Sequence, residues 1–229
     1  STEDKIETEK FNYPIVVKPG LSLVGKKGIS VISNINQFKI GLKYAKKHTV
    51  NNKIIIEEYL PGPDYTFVSF VENSKIYPIC ILDELNVEDL DGRIISRGYK
   101  THLPTKDNKI EEEILKLSNL IVDKFKISRS SLMTCFRVGN DNKLKLIEIH
   151  LDLGGDLLIE ELFPRALNFD FKTFAINVLS GDFNEINRDI NPCAIFYEKG
   201  EALLNQRPFI ILQAKTDKEL EKKIIDKSL

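Results

Sequence analysis

Cysteine is scarce in this chain: Cys80, Cys135 and Cys193 are the only three among 229 residues. An odd number so widely spaced excludes a disulfide framework or a multi-cysteine zinc framework, and fits a reduced, cytoplasmic compartment. Charge of one sign is scarce too, since 33 basic and 34 acidic residues leave a formal net charge of -1. No basic footprint therefore argues for nucleic acid as a partner. No apolar run is long enough for a membrane span, no start segment resembles a signal peptide, and no repeat or low-complexity tract stands out. No membrane partner is expected. The chain opens on Ser1 rather than methionine, so a processed or excised piece of a longer protein is expected.

The composition, 42% hydrophobic and 29% charged, is that of a soluble globular protein with material for one large or two small domains. Its most informative stretch runs from Lys143 to Leu158. As a strand, it puts Glu148, His150 and Asp152 on one face and Ile147, Ile149 and Leu151 on the other. Gly154 and Gly155 then stop the strand and admit a close approach to the backbone. This layout suits a binding site, and equally an edge strand with a solvated face.

Upstream, residues 1 to 12 suggest a short helix or arm, and Ile15 to Lys18 a β-branched strand. The loop from Pro19 to Gly28 carries Ser22, Gly25, Lys26 and Lys27, and can wrap backbone N–H groups and ammonium charge around phosphates. An exposed basic hairpin tip accounts for the same residues. Strand Ile29 to Ile32 and helix Asn34 to Lys47 follow. A short strand, Ile54 to Ile56, then runs into Glu57, Glu58, Tyr59 and Leu60, where Pro61, Gly62 and Pro63 suggest a hinge that could form an adenine slot.

Tyr65 to Val71 and Lys75 to Leu82 pattern as a hairpin. Asp83 to Lys106 suggests a long polar excursion near the site, offering Arg93, Arg97, Lys100 and His102 to anions. The spacing predicts helices over Asn108 to Lys126 and Pro164 to Leu179, the second ending at Gly181. Ser131 to Val138 and Lys143 to Asp152 pattern as an antiparallel pair. Cys193 to Tyr197 and Phe209 to Gln213 close the strand list, and Thr216 with Glu219 makes a capping box for a last helix.

In this order, three segments resemble the ATP-grasp superfamily from about Tyr13 to Gly181. Tyr13-Pro14-Ile15-Val16-Val17-Lys18-Pro19 with its glycine loop is similar to the family's phosphate-binding segment. Ile56-Glu57-Glu58-Tyr59-Leu60-Pro61-Gly62 is similar to its adenine hinge. Ile147 to Asp156 is similar to its E-I-N-x-R-x-G-G-D segment. The resemblance implies an α+β fold of two subdomains gripping a nucleotide: residues 1–58 as the smaller, incomplete at its start, and 59–229 as the larger, with the amino-terminal substrate domain missing. It also implies ATP and Mg2+ as cofactors. Lys18, Ser22, Gly25, Gly28, Glu57, Glu58, Tyr59, Leu60 and Asp64 would contact the nucleotide, and Glu148 and His150 the metal. Lys18 would also serve catalysis, as would Asp152 at the family's arginine position.

The implied activity is ADP-forming ligation of a carboxylate to an amine through an acyl phosphate, with small-molecule acids and amines as partners. Arg137, Arg165 and Arg97 are candidate carboxylate clamps. Departures from the pattern support a second reading. His150 replaces asparagine, Asp152 replaces arginine, Cys135 falls where a metal-binding glutamate is usual, and Glu84 where a phosphate-binding lysine is. These suit a catalytically degenerate nucleotide-binding module, or one subunit of a split ligase whose partner subunit supplies the missing groups.

Overall fold

The computed structural model describes residues 11–23, 25–103, 109–182, 189–198 and 208–228. The expected arm at residues 1 to 12 lies almost wholly outside them. The chain divides into two units, Ser1–Leu60 with Asn86–Ser96, and Pro61–Leu85 with Arg97–Leu229.

In the first unit, strands β1 (Ile15–Pro19), β2 (Ser30–Ile32) and β3 (Ile54–Glu58) form an antiparallel sheet in the order β2-β1-β3. Alternation along β1 sends Ile15 and Val17 into the core. There they meet Phe38, Leu42 and Ala45 of helix α1 (Ile35–His48). Asn34 caps α1, its side chain accepting from the backbone N–H groups of Asn36 and Gln37. Val16 and Lys18 therefore take the opposite face, beside their ladder partners Glu57 and Ile55. The turn before Ile94 is pinned to this unit by Val31 N–H donating to Gly92 O at 2.7 Å.

The second unit holds a seven-stranded sheet in the order β10-β9-β6-β5-β4-β7-β8. Its strands are β4 (Asp64–Glu72), β5 (Lys75–Glu88), β6 (Ile94–His102), β7 (Arg129–Val138), β8 (Leu144–His150), β9 (Cys193–Tyr197) and β10 (Phe209–Gln213). One face packs Phe67, Val71, Leu132 and Phe136 against Ile114, Ile121 and Val122 of helix α2 (Lys109–Phe125). The other packs Val68, Phe70, Leu82, Met133 and Ile195 against an irregular helical segment, Leu158 to Ser180. Helix α5 (Asp217–Ser228) ends the chain; Glu219 N–H donates to Thr216 Oγ1, and Glu219 Oε2 accepts from Lys215 N–H.

Three expectations are corrected. The stretch expected as a polar excursion from Asp83 to Lys106 is mostly strand up to His102: β5 continues to Glu88 and β6 runs from Ile94 to His102, while residues 104–106 lie outside the described residues. Its charged side chains are accommodated by pairing within the fold, as with Lys100, Asp83 and His102. The helix expected over Pro164 to Leu179 is a π-helical turn (Leu158–Leu162) followed by short α3 (Phe163–Ala166) and α4 (Phe171–Ser180). Asp170 starts α4 afresh by accepting from Lys172 N–H, Thr173 N–H and the Thr173 hydroxyl, and Gly181 ends it in the left-handed conformation. Finally, Ile147 and Leu151 do not pack as an apolar face. Ile147 is 38% exposed because a bulge opposes Cys135 to Glu148 and Phe136 to Leu146, leaving it as the extra residue, and Leu151 is 58% exposed beyond the end of β8 at His150.

Candidate functional site

The open face of the three-stranded sheet in the first unit joins two of the expected nucleotide contacts. Lys18 Nζ lies 2.5 Å from Glu57 Oε1, with Ile55 exposed beside them. This pair follows from the antiparallel register, which sets Lys18 opposite Ile55 and Glu57 opposite Val16 on one face. Glu58 is one step out of phase, opposite Ile15. Tyr59 N–H donates to Pro14 O at 3.3 Å, and Tyr59 and Leu60 are half-buried.

The glycine loop leaves β1 through Gly20 N–H donating to Lys53 O at 2.7 Å. Gly28 is buried at φ +86°, where an added Cβ would press on Pro19 and His48. Gly25 stands in open space: chain neighbours aside, no atom of the described residues lies within 4 Å of a Cβ placed there. Ser22, Lys26 and Lys27 are half-buried in the same loop. Its tip thus places Lys26 and Lys27 in sequence next to a glycine with room around it.

The second unit gathers a different group. Thr66 on β4 pairs with Cys135 on β7, which pairs in turn with Glu148 on β8, so one row of side chains crosses three strands. The Thr66 hydroxyl donates to Glu84 Oε1 at 2.6 Å and lies 3.4 Å from Cys135 Sγ. Cys135 Sγ, a Glu148 oxygen and a His150 nitrogen all lie within 4.8 Å of one another. His150 Nε2 is 3.4 Å from Glu148 Oε1, and its Nδ1 is 4.0 Å from Asp152 Oδ2. The hydrogen bond to Glu148 raises the His150 pKa above its ordinary value, against partial burial. Asp152 lies beyond the strand, 65% exposed, its Oδ1 accepting from Gly154 N–H at 2.8 Å.

Behind this row Tyr99 donates to Asp156 Oδ2 at 3.0 Å, and Tyr197 donates to the Asp156 carbonyl. Burial, with Glu84 and Asp156 nearby, holds the Tyr99 hydroxyl well above its ordinary pKa, so it stays a donor. Thr66 and Tyr99 escaped the sequence reading because nothing local marks them. Only the strand order brings them beside Cys135 and Asp156.

The other expected residues are engaged within their units. Asp64 lies opposite Arg137 and 3.4 Å from its Nε, while Arg137 Nε also donates to Gly62 O at 3.1 Å. Arg165 is held by Glu161 one helical turn away at 2.9 Å. Arg93 pairs with Asp91 at 2.9 Å and lies over the Tyr44 ring. Arg97 is buried against the Phe196 ring.

No family model and no curated protein matches the sequence. Solved structures do match the fold. An L-amino acid ligase from Bacillus licheniformis superposes with a TM-score of 0.72 at 16% identity, over 95% of this chain and 62% of the ligase. An N5-carboxyaminoimidazole synthetase from Staphylococcus aureus, complexed with ADP, gives 0.70 at 14% identity, over 99% of this chain and 64% of that one. The biotin carboxylase domain of the Hydrogenobacter thermophilus 2-oxoglutarate carboxylase, in complex with MgADP, ADP and bicarbonate, gives 0.60 at 14% identity, over 83% and 42%. The chain has the ATP-grasp fold. It spans less than two thirds of each of these neighbours.

An ATP-grasp domain is expected to hold magnesium, so the residues at that place can be tested against the ion. Magnesium demands a near-octahedral set of oxygen ligands and sheds water reluctantly. Here the converging atoms are one thiol sulfur, one imidazole nitrogen and one carboxylate oxygen. That donor set does not fit magnesium. Among the described residues, no helix of the chain is long and apolar enough to cross a membrane.

Proposed function

We propose that the chain is the ATP-binding part of an ATP-dependent carboxylate–amine ligase. The observation that carries this reading is the Lys18–Glu57 pair on the open face of the sheet, next to a glycine loop with room at Gly25, in a chain with the ATP-grasp fold. Lys18 supplies an ammonium for the phosphates, and Glu57 pre-orients it before nucleotide arrives. The Leu60 backbone would read the adenine edge, and the glycine loop would approach the phosphates. Solved neighbours with this fold hold ADP, which supports a nucleotide here.

In the reaction we infer, a carboxylate oxygen attacks the γ-phosphorus of ATP, giving an acyl phosphate and ADP. An amine then attacks the carbonyl carbon and expels phosphate, leaving an amide. The chain's own groups position the phosphates and screen their charge. The acid, the amine and any further domain or subunit that presents them belong to this proposal.

Asp152 favours a second reading. An exposed carboxylate beside His150 adds negative charge where a ligase of this kind is expected to carry arginine, which suits a domain that binds nucleotide without turning it over.

Calorimetric titration with ATP, with and without magnesium, tests the shared part of both readings. The wild-type chain is expected to bind, and Lys18→Ala to raise Kd at least about tenfold, as loss of a charge-assisted contact would. Absence of binding, or unchanged binding in the variant, defeats the proposal. Sustained ADP release on adding mixed carboxylic acids and amines would eliminate the non-catalytic reading.

A further inference from the structure

The mismatch between this site and magnesium points to a different ion. We propose that Cys135, Glu148 and His150 form a three-ligand site for a borderline-soft divalent cation, zinc above all, rather than for magnesium. The proposal stands on the donor set and its geometry, independently of whether the chain binds nucleotide.

Cys135 Sγ, a Glu148 oxygen and a His150 nitrogen converge within 4.8 Å, the only such group of three or more among the described residues. In a tetrahedral zinc site, bond lengths of about 2.0–2.3 Å place neighbouring ligand atoms about 3.3–3.7 Å apart. The His150 Nε2 to Glu148 Oε1 separation, 3.4 Å, already has that length. Small side-chain rotations bring the sulfur in, and Glu148 and His150 have freedom to make them, being 50% and 40% exposed. Cys135 is instead buried in a β-ladder, which fixes one corner of the site.

The surroundings match what such a site needs. Metal-bound imidazoles commonly have a carboxylate at the far ring nitrogen. Here Asp152 Oδ2 lies 4.0 Å from His150 Nδ1, and Gly154 N–H holds the other Asp152 oxygen at 2.8 Å. At the sulfur, the Thr66 hydroxyl stands 3.4 Å away and donates to Glu84 at 2.6 Å. It can turn its hydrogen to the thiolate once a metal is bound. As the metal–sulfur bond forms, the thiol proton passes to solvent, so no oxidant or reductant is required. Three protein ligands leave a fourth position for water.

The test uses the whole chain under reducing conditions, without nucleotide, and Co2+ as the spectroscopic probe. Cobalt is expected to produce a near-ultraviolet thiolate-to-metal charge-transfer band and intense visible bands of a tetrahedral centre. Equimolar zinc should abolish them, and a thousandfold excess of magnesium should not. Cys135→Ser should lose the charge-transfer band, whereas Cys80→Ser and Cys193→Ser should retain it. Glu148→Gln and His150→Ala alter an exposed and a half-buried side chain outside the core and so preserve folding if Cys135→Ser does not; each should weaken cobalt binding at least tenfold. The proposal is overturned by an absent charge-transfer band in the folded wild-type chain, by a band that survives Cys135→Ser, or by magnesium displacing cobalt at comparable concentration. Failure of ATP binding leaves these readouts intact, so the two proposals fall separately.

Discussion

His102 Nδ1–H donates to Asp83 Oδ1 at 2.7 Å, while the other Asp83 oxygen lies 3.2 Å from Lys100 Nζ, so one carboxylate on β5 ties together two cations of β6. The hydrogen bond to Asp83 raises the His102 pKa above its ordinary 6.5, against burial. Glu111 on α2, 3.4 Å from Nε2, adds to the rise; Lys100 opposes it, and Tyr65 packs its ring edge-on at 5.5 Å.

A raised folded pKa fixes the sign of the pH dependence. The stabilisation from protonated His102 is fully present below the unfolded value near 6.5 and lost as pH rises through the higher folded value. Urea midpoints measured from pH 5.5 to 9 should therefore show the wild-type advantage over His102→Gln shrinking with rising pH. An advantage that stays level, or grows toward alkaline pH, would rule out a protonated, Asp83-bound imidazole.

Lys100 lies 3.2 Å from Glu221 Oε1 and 3.3 Å from Asp217 Oδ1 as well, so it also fastens α5 to the sheet. Burial lowers its pKa, but Asp83, Asp217 and Glu221 outweigh that and hold it above the usual lysine value, so the ammonium persists at any working pH. Lys100→Met leaves the half-buried Asp83, 23% exposed, without its lysine, and the two more exposed carboxylates regain water. A full buried pair would cost about 3–5 kcal/mol. With Asp217 and Glu221 at 40% and 55% exposure, a loss of about 2 kcal/mol is expected instead. Hydrogen exchange should accelerate in residues 217–228 before it does in the sheet. Unchanged protection there would mean that α5 is held by its apolar contacts alone.

The sequence and the fold agree most closely where period and capping are local. Gly181 and Thr216 mark helix ends because each acts on a backbone group within a few residues. Lys18 and Glu57 could be singled out only through a family resemblance, since their contact depends on β1 and β3 aligning across 39 positions of chain. The bulge at Ile147 was hidden for a similar reason. Counting alternation along β8 alone assumes an unbroken ladder, and the extra residue becomes visible only against Cys135 and Phe136 on β7. Likewise, the charges between Asp83 and His102 suggested solvent until β5 and β6 paired them with one another.

Two glycines of the same loop separate architecture from function. Gly28 has φ +86° and is packed on Pro19 and His48, so Gly28→Ala incurs both a strained backbone and a steric overlap. Destabilisation of about 1–3 kcal/mol follows, with any loss of ATP binding secondary to it. Gly25 has open space around it, so Gly25→Ala should leave the denaturation midpoint within about 0.5 kcal/mol of wild type. If the loop approaches phosphate through its backbone, that methyl group nevertheless intrudes on the ligand, and the ATP Kd should rise. Parallel chemical denaturation and ATP titration of the two variants decide the matter. A Gly25→Ala chain that keeps both wild-type stability and wild-type affinity would remove the loop tip from the nucleotide site, leaving Lys18 and the hinge backbone to account for binding.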